Sequence, residues 1–137
     1  MPESGLAKKL KIKPGLRAGI INAPQGYRAE LGTLPEGTEL IEKLDGKFDW
    51  LQIFVMSRAE LEALFPQVIG TLKPESLLWI SFPKGTSKIQ TDLTRDTGWD
   101  VIRQVELKWI NLVSVDETWS AFSLRPYRPG EKRQSFR

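Results

Sequence analysis

The chain reads as an α/β domain on a mostly parallel, three-layer Rossmann-like sheet that closes with an antiparallel hairpin. Three observations carry this. Residues 48–55 (FDWLQIFV) and 77–82 (LLWISF) are near-continuous apolar runs, as strands covered on both faces require. Between them Leu61, Leu64, Phe65, Val68, Ile69 and Leu72 recur at steps of three and four, which puts them on one helical face. Strand, amphipathic helix and strand make one right-handed βαβ unit. Third, residues 109–115 and 120–124 flank Asp116-Glu117-Thr118-Trp119 as an antiparallel pair.

The remaining elements follow in chain order. Residues 6–10 form a short helical lead-in that stops at Lys13-Pro14-Gly15. Residues 17–22 (RAGIIN) are a strand, 23–26 a loop, and 27–31 a short helix. A turn at Pro35-Glu36-Gly37 leads to a strand over 38–43, and Asp45-Gly46-Lys47 is a tight turn. Ser57 with Glu60 forms a capping box that starts the central helix, and Lys73-Pro74 supplies its stop. Pro66 lacks the N–H that would bond back to Glu62, so a kink or two short helices are expected there. Thr91 or Asp92 caps a further helix running to about Glu106, with Leu93, Ile102 and Val105 inward and Gly98 weakening its middle. A single domain is expected over 1–126, with a basic tail over 127–137.

Composition narrows the chemistry. With no cysteine there is no disulfide, thiol catalysis or thiolate metal site; with no histidine there is no imidazole acid–base work or ligation. Catalysis would fall to carboxylates, lysine, tyrosine or serine. Residues 1–13 contain lysines but no apolar signal core, and no apolar run approaches membrane-spanning length, so a soluble cytoplasmic protein is expected. The net charge of +3 is unevenly spread. Residues 1–17 hold five basic side chains against Glu3, and residues 125–137 five against Glu131, so each end is +4 and the middle −5. Lys8, Lys9, Lys11, Arg128, Lys132 and Arg133 suit phosphate-backbone contacts, with Tyr127 and Phe136 available to stack on bases; the bland alternative is a solubilising end.

In open α/β sheets ligands bind beyond the carboxyl ends of the strands. Those ends are residues 22–26, 42–43, 56–57 and 82–84. Ligand-rim candidates are therefore Ser57, Phe82, Pro83, Lys84, Thr91, Asp92 and Trp119. Lys84, Lys88 and the intervening hydroxyls could receive an anion, although the spacing is not that of a P-loop. Trp119 either lines a pocket or packs as a lid on the sheet edge. Asp92, Asp96 and Asp100 at four-residue steps read as a solvated helix face partnered by Arg95 and Arg103, rather than as a cation site, and no metal is expected.

The segments LAKKLKIKPG, NAPQGY, SRAELEALFP, WISFPKGTSKIQTDLTRD and VSVDETWSAFSLRP carry a resemblance that spans most of residues 6–126. On them the chain resembles an uncharacterised bacterial family of small proteins with a degenerate S-adenosylmethionine-dependent methyltransferase fold, one strand short of the full fold. The resemblance implies the architecture and no established activity. In the methyltransferase first motif an acid precedes glycines at alternate positions. With Gly26 as the last of these, the acid falls on Ile20 and the earlier glycines on Asn22 and Pro24. Carried over residue by residue, the resemblance makes Asn22, Gln25, Gly26 and Glu42 the cofactor-binding positions, with Glu42 as the acid for a ribose. Pro24 offers no N–H and Ile20 no carboxylate. The expectation is thus a non-catalytic ligand-binding or interaction protein without a cofactor and without catalytic residues. The alternatives are a methyltransferase with an atypical cofactor loop and S-adenosylmethionine (SAM) as cofactor, or a nucleic-acid accessory protein. The partner would be a small molecule or a protein, the state a monomer or a homodimer; five tryptophans leave some for a dimer surface.

Overall fold

The computed structural model describes residues 5–94, 97–105 and 107–133. In order these give α1 (Gly5–Lys9), β1 (Arg17–Ile21), α2 (Tyr27–Leu31), β2 (Glu39–Ile41), β3 (Phe48–Phe54), α3 (Arg58–Ile69), β4 (Leu72–Pro83), α4 (Asp100–Arg103), β5 (Leu107–Ser114) and β6 (Trp119–Pro126). One six-stranded sheet runs β2-β1-β3-β4-β6-β5. The first four strands are parallel, and β6 is antiparallel to both β4 and β5. The Rossmann-like reading, the βαβ unit at its centre and the closing hairpin are all present. Among the described residues no helix is long and apolar enough to cross a membrane.

Alternation along β3 sorts the core into two layers. Leu51, Ile53 and Val55 face α3 and α4 and join Leu61, Phe65, Val68 and Ile102. Trp50 and Phe54 face the other way, toward Ala7 of α1, Leu10 just after it, and Tyr27 and Leu31 of α2. The indole N–H groups of Trp50 and Trp79 both donate to the carbonyl of Leu10 at 2.8 Å, which pins the lead-in across the sheet. Since a carbonyl has two lone pairs, it satisfies two buried donors at once.

Three expectations are corrected. α3 does not break at Pro66 but runs as a single helix from Arg58 to Ile69. Pro66 and Glu62 both lie on its exposed side, so water can serve the carbonyl that the missing N–H leaves over, while Leu61, Phe65 and Val68 hold the inner face. Lys73 and Pro74 are not the stop of this helix. They lie inside β4, whose pairing advances from Leu72 to Leu77 while β3 advances only from Phe48 to Trp50. A proline is tolerated in such a bulge because no ladder donor is needed there. Ser76 closes the bulge: its hydroxyl accepts from the Lys73 N–H and donates to the Phe48 carbonyl, both at 2.6 Å.

The third correction concerns the helix expected from Thr91 or Asp92 to Glu106, which reduces to α4. Gly98 adopts φ +97, and a Cβ there would stand 2.6 Å from Leu93 Cδ2, so the chain folds back on itself instead of continuing a helix. The Trp99 indole donates to the Thr94 carbonyl at 2.6 Å and fixes that return. Asp92 caps a different helix, accepting from the Arg58 N–H at 2.7 Å. Asp100 pairs with the Arg58 guanidinium at 2.9 Å, so Asp92 and Asp100 share Arg58 and not a helical face; Asp96 and Arg95 lie outside the described residues. No group of metal-ligating side chains occurs among the described residues.

The start of the tail docks on the hairpin. The Glu131 carboxylate accepts from Arg125 at 2.7 and 2.9 Å, from Lys108 at 2.9 Å and from the Arg128 N–H at 2.9 Å. These partners, Arg125 first, hold the carboxyl far below its ordinary range. The Arg133 guanidinium lies over the Tyr127 ring at 4.2 Å. Phe136 lies outside the described residues.

Candidate functional site

The sheet order reverses between β1 and β3: from β1 the chain steps outward to β2, and from β3 the other way to β4. At the carboxyl ends of these two strands opens a cleft of about 490 Å³, lined by Asn22, Ala23, Pro24, Phe54, Met56, Glu60 and Trp119. Such a switch-point crevice, with apolar walls and few polar groups, is where this architecture holds ligands. Phe54 and Trp119 of its lining belong to a run of aromatic edges that Tyr27 continues behind them. Tyr27 meets Phe54 at 4.6 Å and 69°, and Phe54 meets Trp119 at 5.1 Å and 84°. All three rings are buried. Met56 is exposed at the rim.

Backbone conformation bends the loop after β1 around this cleft. Asn22 takes φ +60 and Gly26 φ +86, and nothing lies within 4 Å of where a Gly26 Cβ would be. Asparagine tolerates the left-handed region and glycine adopts it freely.

A smaller cavity of about 250 Å³ adjoins the cleft, sharing Pro24 and Trp119, and adds Gln25, Gly26, Tyr27, Glu30, Asp116 and Thr118. Asp116 organises the β5–β6 turn, its Oδ1 accepting from the Thr118 and Trp119 N–H groups at 2.8 Å each. Glu30 stays exposed at the mouth. Lost hydration, then a shared hydrogen bond with Asp116 and the charge of that carboxyl, push Glu30 up to about 7. A carboxyl raised on folding stabilises the fold below its unfolded value of 4.5, and that contribution is lost as pH rises through about 7. Glu30→Gln is therefore expected to raise Tm near pH ~8 and to change it little near pH ~4. Thermal melts across that range check this, and a variant with an unaltered pH profile would refute it.

Beneath the cleft lies a closed polar chain. The Tyr27 hydroxyl donates to Gln52 Oε1 at 2.8 Å, and Gln52 Nε2 donates to Ser81 Oγ at 2.9 Å. Burial holds the Tyr27 phenol well above its usual range.

The structure distributes the residues singled out by sequence. Asn22 and Trp119 line the main cleft, and Gln25 and Gly26 the smaller cavity. Glu42 follows β2 and lines neither. Ser57 caps α3 by accepting the Glu60 N–H at 3.1 Å, while Glu60 itself faces the cleft. Phe82 is a core residue, stacked on Phe122 at 5.5 Å and edge-on to Trp99 at 5.1 Å. Pro83 is buried opposite Trp119 in the β4–β6 ladder. Lys84 and Thr91 line a separate cleft beyond β4. Sequence reasoning passed over Phe54 and Glu60, though both flank the carboxyl end of β3, and over Glu30, for which no sequence signal existed.

Neither a family model nor a curated protein matches the chain. Solved structures do. The chain is similar to a SAM-dependent methyltransferase from Aquifex aeolicus, with TM-score 0.58, 15% identity, 85% of this chain and 85% of that one. It is similar to DhpI, solved with S-adenosylhomocysteine (SAH) at TM-score 0.57 and with SAM and HEP at 0.58. Identity is 10% in both, over 88% of this chain and 82% or 84% of the other. A TehB-like SAM-dependent methyltransferase from Corynebacterium glutamicum gives TM-score 0.52 and 12% identity, over 83% and 82%. At these identities the likeness establishes a methyltransferase-like fold.

One expectation falls here. The altered positions Ile20 and Pro24 led to the reading that the scaffold takes no cofactor. The DhpI complexes, which hold SAM or SAH on this fold, overturn it. The physical reason is that the loop bends without the glycine series: Asn22 and Gly26 supply the positive φ, and Ile20 is a buried core residue.

Proposed function

We propose that the chain binds SAM in the cleft between the carboxyl ends of β1 and β3 and is a SAM-dependent methyltransferase. One observation carries the reading: an apolar-walled cleft lies at the point where the strand order reverses, on a fold shared with SAM-dependent methyltransferases. The residues present fit such a group. Phe54, Trp119 and Met56 offer apolar surface for a flat ring and a thioether, the space above Gly26 is open, and Asn22 and Glu60 supply polar contacts. Pro24 offers no N–H, so backbone donation from this loop comes from its other residues.

SAM supplies an electrophilic methyl group on a sulfonium centre. That transfer asks little covalent chemistry of the protein, which is consistent with a chain lacking histidine and cysteine. The side chains would exclude water and orient the reactants. Glu30, raised to about 7, is the described carboxyl suited to take a proton near neutral pH, and it sits in the cavity that shares Trp119 with the cleft. A thermal shift with SAM and with SAH tests the binding: ligand at 100 Kd stabilises by about 2.7 kcal/mol. Absence of any shift at millimolar ligand would overturn the proposal. Binding without transfer to any acceptor would instead favour a ligand-binding protein on the same scaffold, a reading to which Ile20 and Pro24 lend weight.

A further inference from the structure

We propose that the cleft beyond the carboxyl end of β4 binds a phosphate group carried by a ligand of this protein. The cleft measures about 490 Å³, and Lys84, Ser87, Lys88, Gln90, Thr91 and Thr94 provide its polar lining. The assignment stands on this cleft alone and does not depend on methyl transfer.

Charge comes first. The two lysines are the charged side chains lining the cleft, and among the described residues lining it none is acidic. The nearest carboxylate in sequence, Asp92, is engaged elsewhere, accepting from the Arg58 N–H at 2.7 Å at the start of α3. A cap that drew Asp92 into the cleft would have neutralised one lysine; here its charge serves a different helix.

Donor geometry comes second. Lys84 is held in place, its N–H bonded to the Thr118 carbonyl at 2.8 Å and its ammonium to Ser114 Oγ at 2.6 Å. An ammonium has three hydrogens, so one bond to Ser114 leaves two to donate. Lys88 is exposed and has no hydrogen-bond or ion-pair partner among the described residues. Ser87 Oγ already accepts the Ile89 N–H at 3.3 Å, and Thr91 Oγ1 the Leu93 N–H at 3.0 Å. With their oxygens used as acceptors toward the backbone, both hydroxyls keep an O–H to donate. The cleft is thus lined by two lysines, of which Lys84 also bonds Ser114 outside the lining, and by two hydroxyls that keep a donor. A group with several charged acceptor oxygens matches that set, a neutral ligand leaves the lysines uncompensated, and a cation is repelled.

Amide NMR titration tests this, with inorganic phosphate, a 5′-mononucleotide and a short oligonucleotide as probes and sodium chloride at matched ionic strength as control. Saturable shifts of the residue 84–94 amides are expected with phosphate and absent with chloride. Lys88→Glu, at a side chain that supports nothing else described, should weaken phosphate binding about tenfold or more. Its spectrum elsewhere should be unchanged. The mononucleotide binding more tightly than the oligonucleotide identifies a free phosphorylated molecule as the source, and the reverse identifies a strand; either supports the site. Shifts that do not saturate, that chloride reproduces, that centre on residues 8–13 or 125–133, or that survive Lys88→Glu would each overturn it. No probe in this test is SAM, so its failure and a failure of SAM binding are read separately.

Discussion

Trp119→Ala is expected to lower the unfolding free energy by about 3–5 kcal/mol and to abolish SAH binding. Trp119 is only 5% exposed, yet it lines both the main cleft and the smaller cavity. Its ring meets Phe54 edge-on, its strand partner is Pro83, and its backbone N–H donates to Asp116 Oδ1. Truncation therefore removes a core ring and widens the opening between the two cavities, since this side chain and Pro24 are the residues they share. Urea denaturation with and without SAH separates the two consequences. Trp119→Phe keeps a ring against Phe54 and should recover most of the stability while leaving binding weakened, because less apolar surface faces the cleft. An alanine variant that folds and binds SAH as the parent does would show that the ligand site lies elsewhere.

The legible part of this molecule is the part where one periodicity dominates. Residues 48–55, 61–68 and 77–82 each follow a single pattern of burial, and β3, α3 and β4 stand close to where that pattern puts them, although Ile69 is exposed and Leu72 opens β4 instead of extending the helical face. Legibility failed where a long-range contact overrode a local signal. Pro66 reads locally as a break, but with Leu61, Phe65 and Val68 buried on its inner face α3 runs through it as one helix. Lys73-Pro74 reads as a stop, but Ser76 and the Asp49–Lys73 ion pair absorb the proline into a bulge. Thr91 and Asp92 read as a cap for the segment that follows, yet Asp92 serves the helix that precedes it.

The site divides in the same way. The rule that ligands gather at strand carboxyl ends points to residues 22–26 and 56–57 because it depends only on topology, and the structure lines the two adjoining cavities with residues 22–26 and Met56 while Ser57 caps α3. It also draws in Phe82, whose side chain the structure places in the α3–α4 layer because side chains alternate along a strand. Nor can it find Glu30. That residue matters through its neighbour Asp116, which lies far along the chain and meets it only after α2 and the β5–β6 turn have packed on one side of the sheet.

Gln52→Leu is the second large effect, expected to cost about 2–5 kcal/mol although leucine is the more hydrophobic residue. Gln52 is fully buried on the face of β3 that packs against α2. It takes the Tyr27 hydroxyl on one side and gives to Ser81 on the other. Leucine fills a similar volume but leaves both hydroxyls without their partner in a dry interior, and each such loss costs about 1–3 kcal/mol. With the Tyr27 phenol held protonated by burial, the network carries no charge, so the loss should be the same near pH ~5 and pH ~8. That separates it from the Glu30 effect, which is confined to the upper part of the range. Removing the remaining hydroxyls with Tyr27→Phe and Ser81→Ala in the Gln52→Leu background should restore most of the stability, since an apolar set of similar shape owes no hydrogen bonds. Because Tyr27 begins α2 and meets Phe54 of the cleft lining, the single variant should also bind SAH more weakly, whereas the triple variant should regain binding along with stability. Urea unfolding at both pH values measures the first claim and calorimetric titration the second. A Gln52→Leu chain as stable as the parent would mean that water reaches the hydroxyls, and that the layer beneath the cleft is open where the structure has it closed.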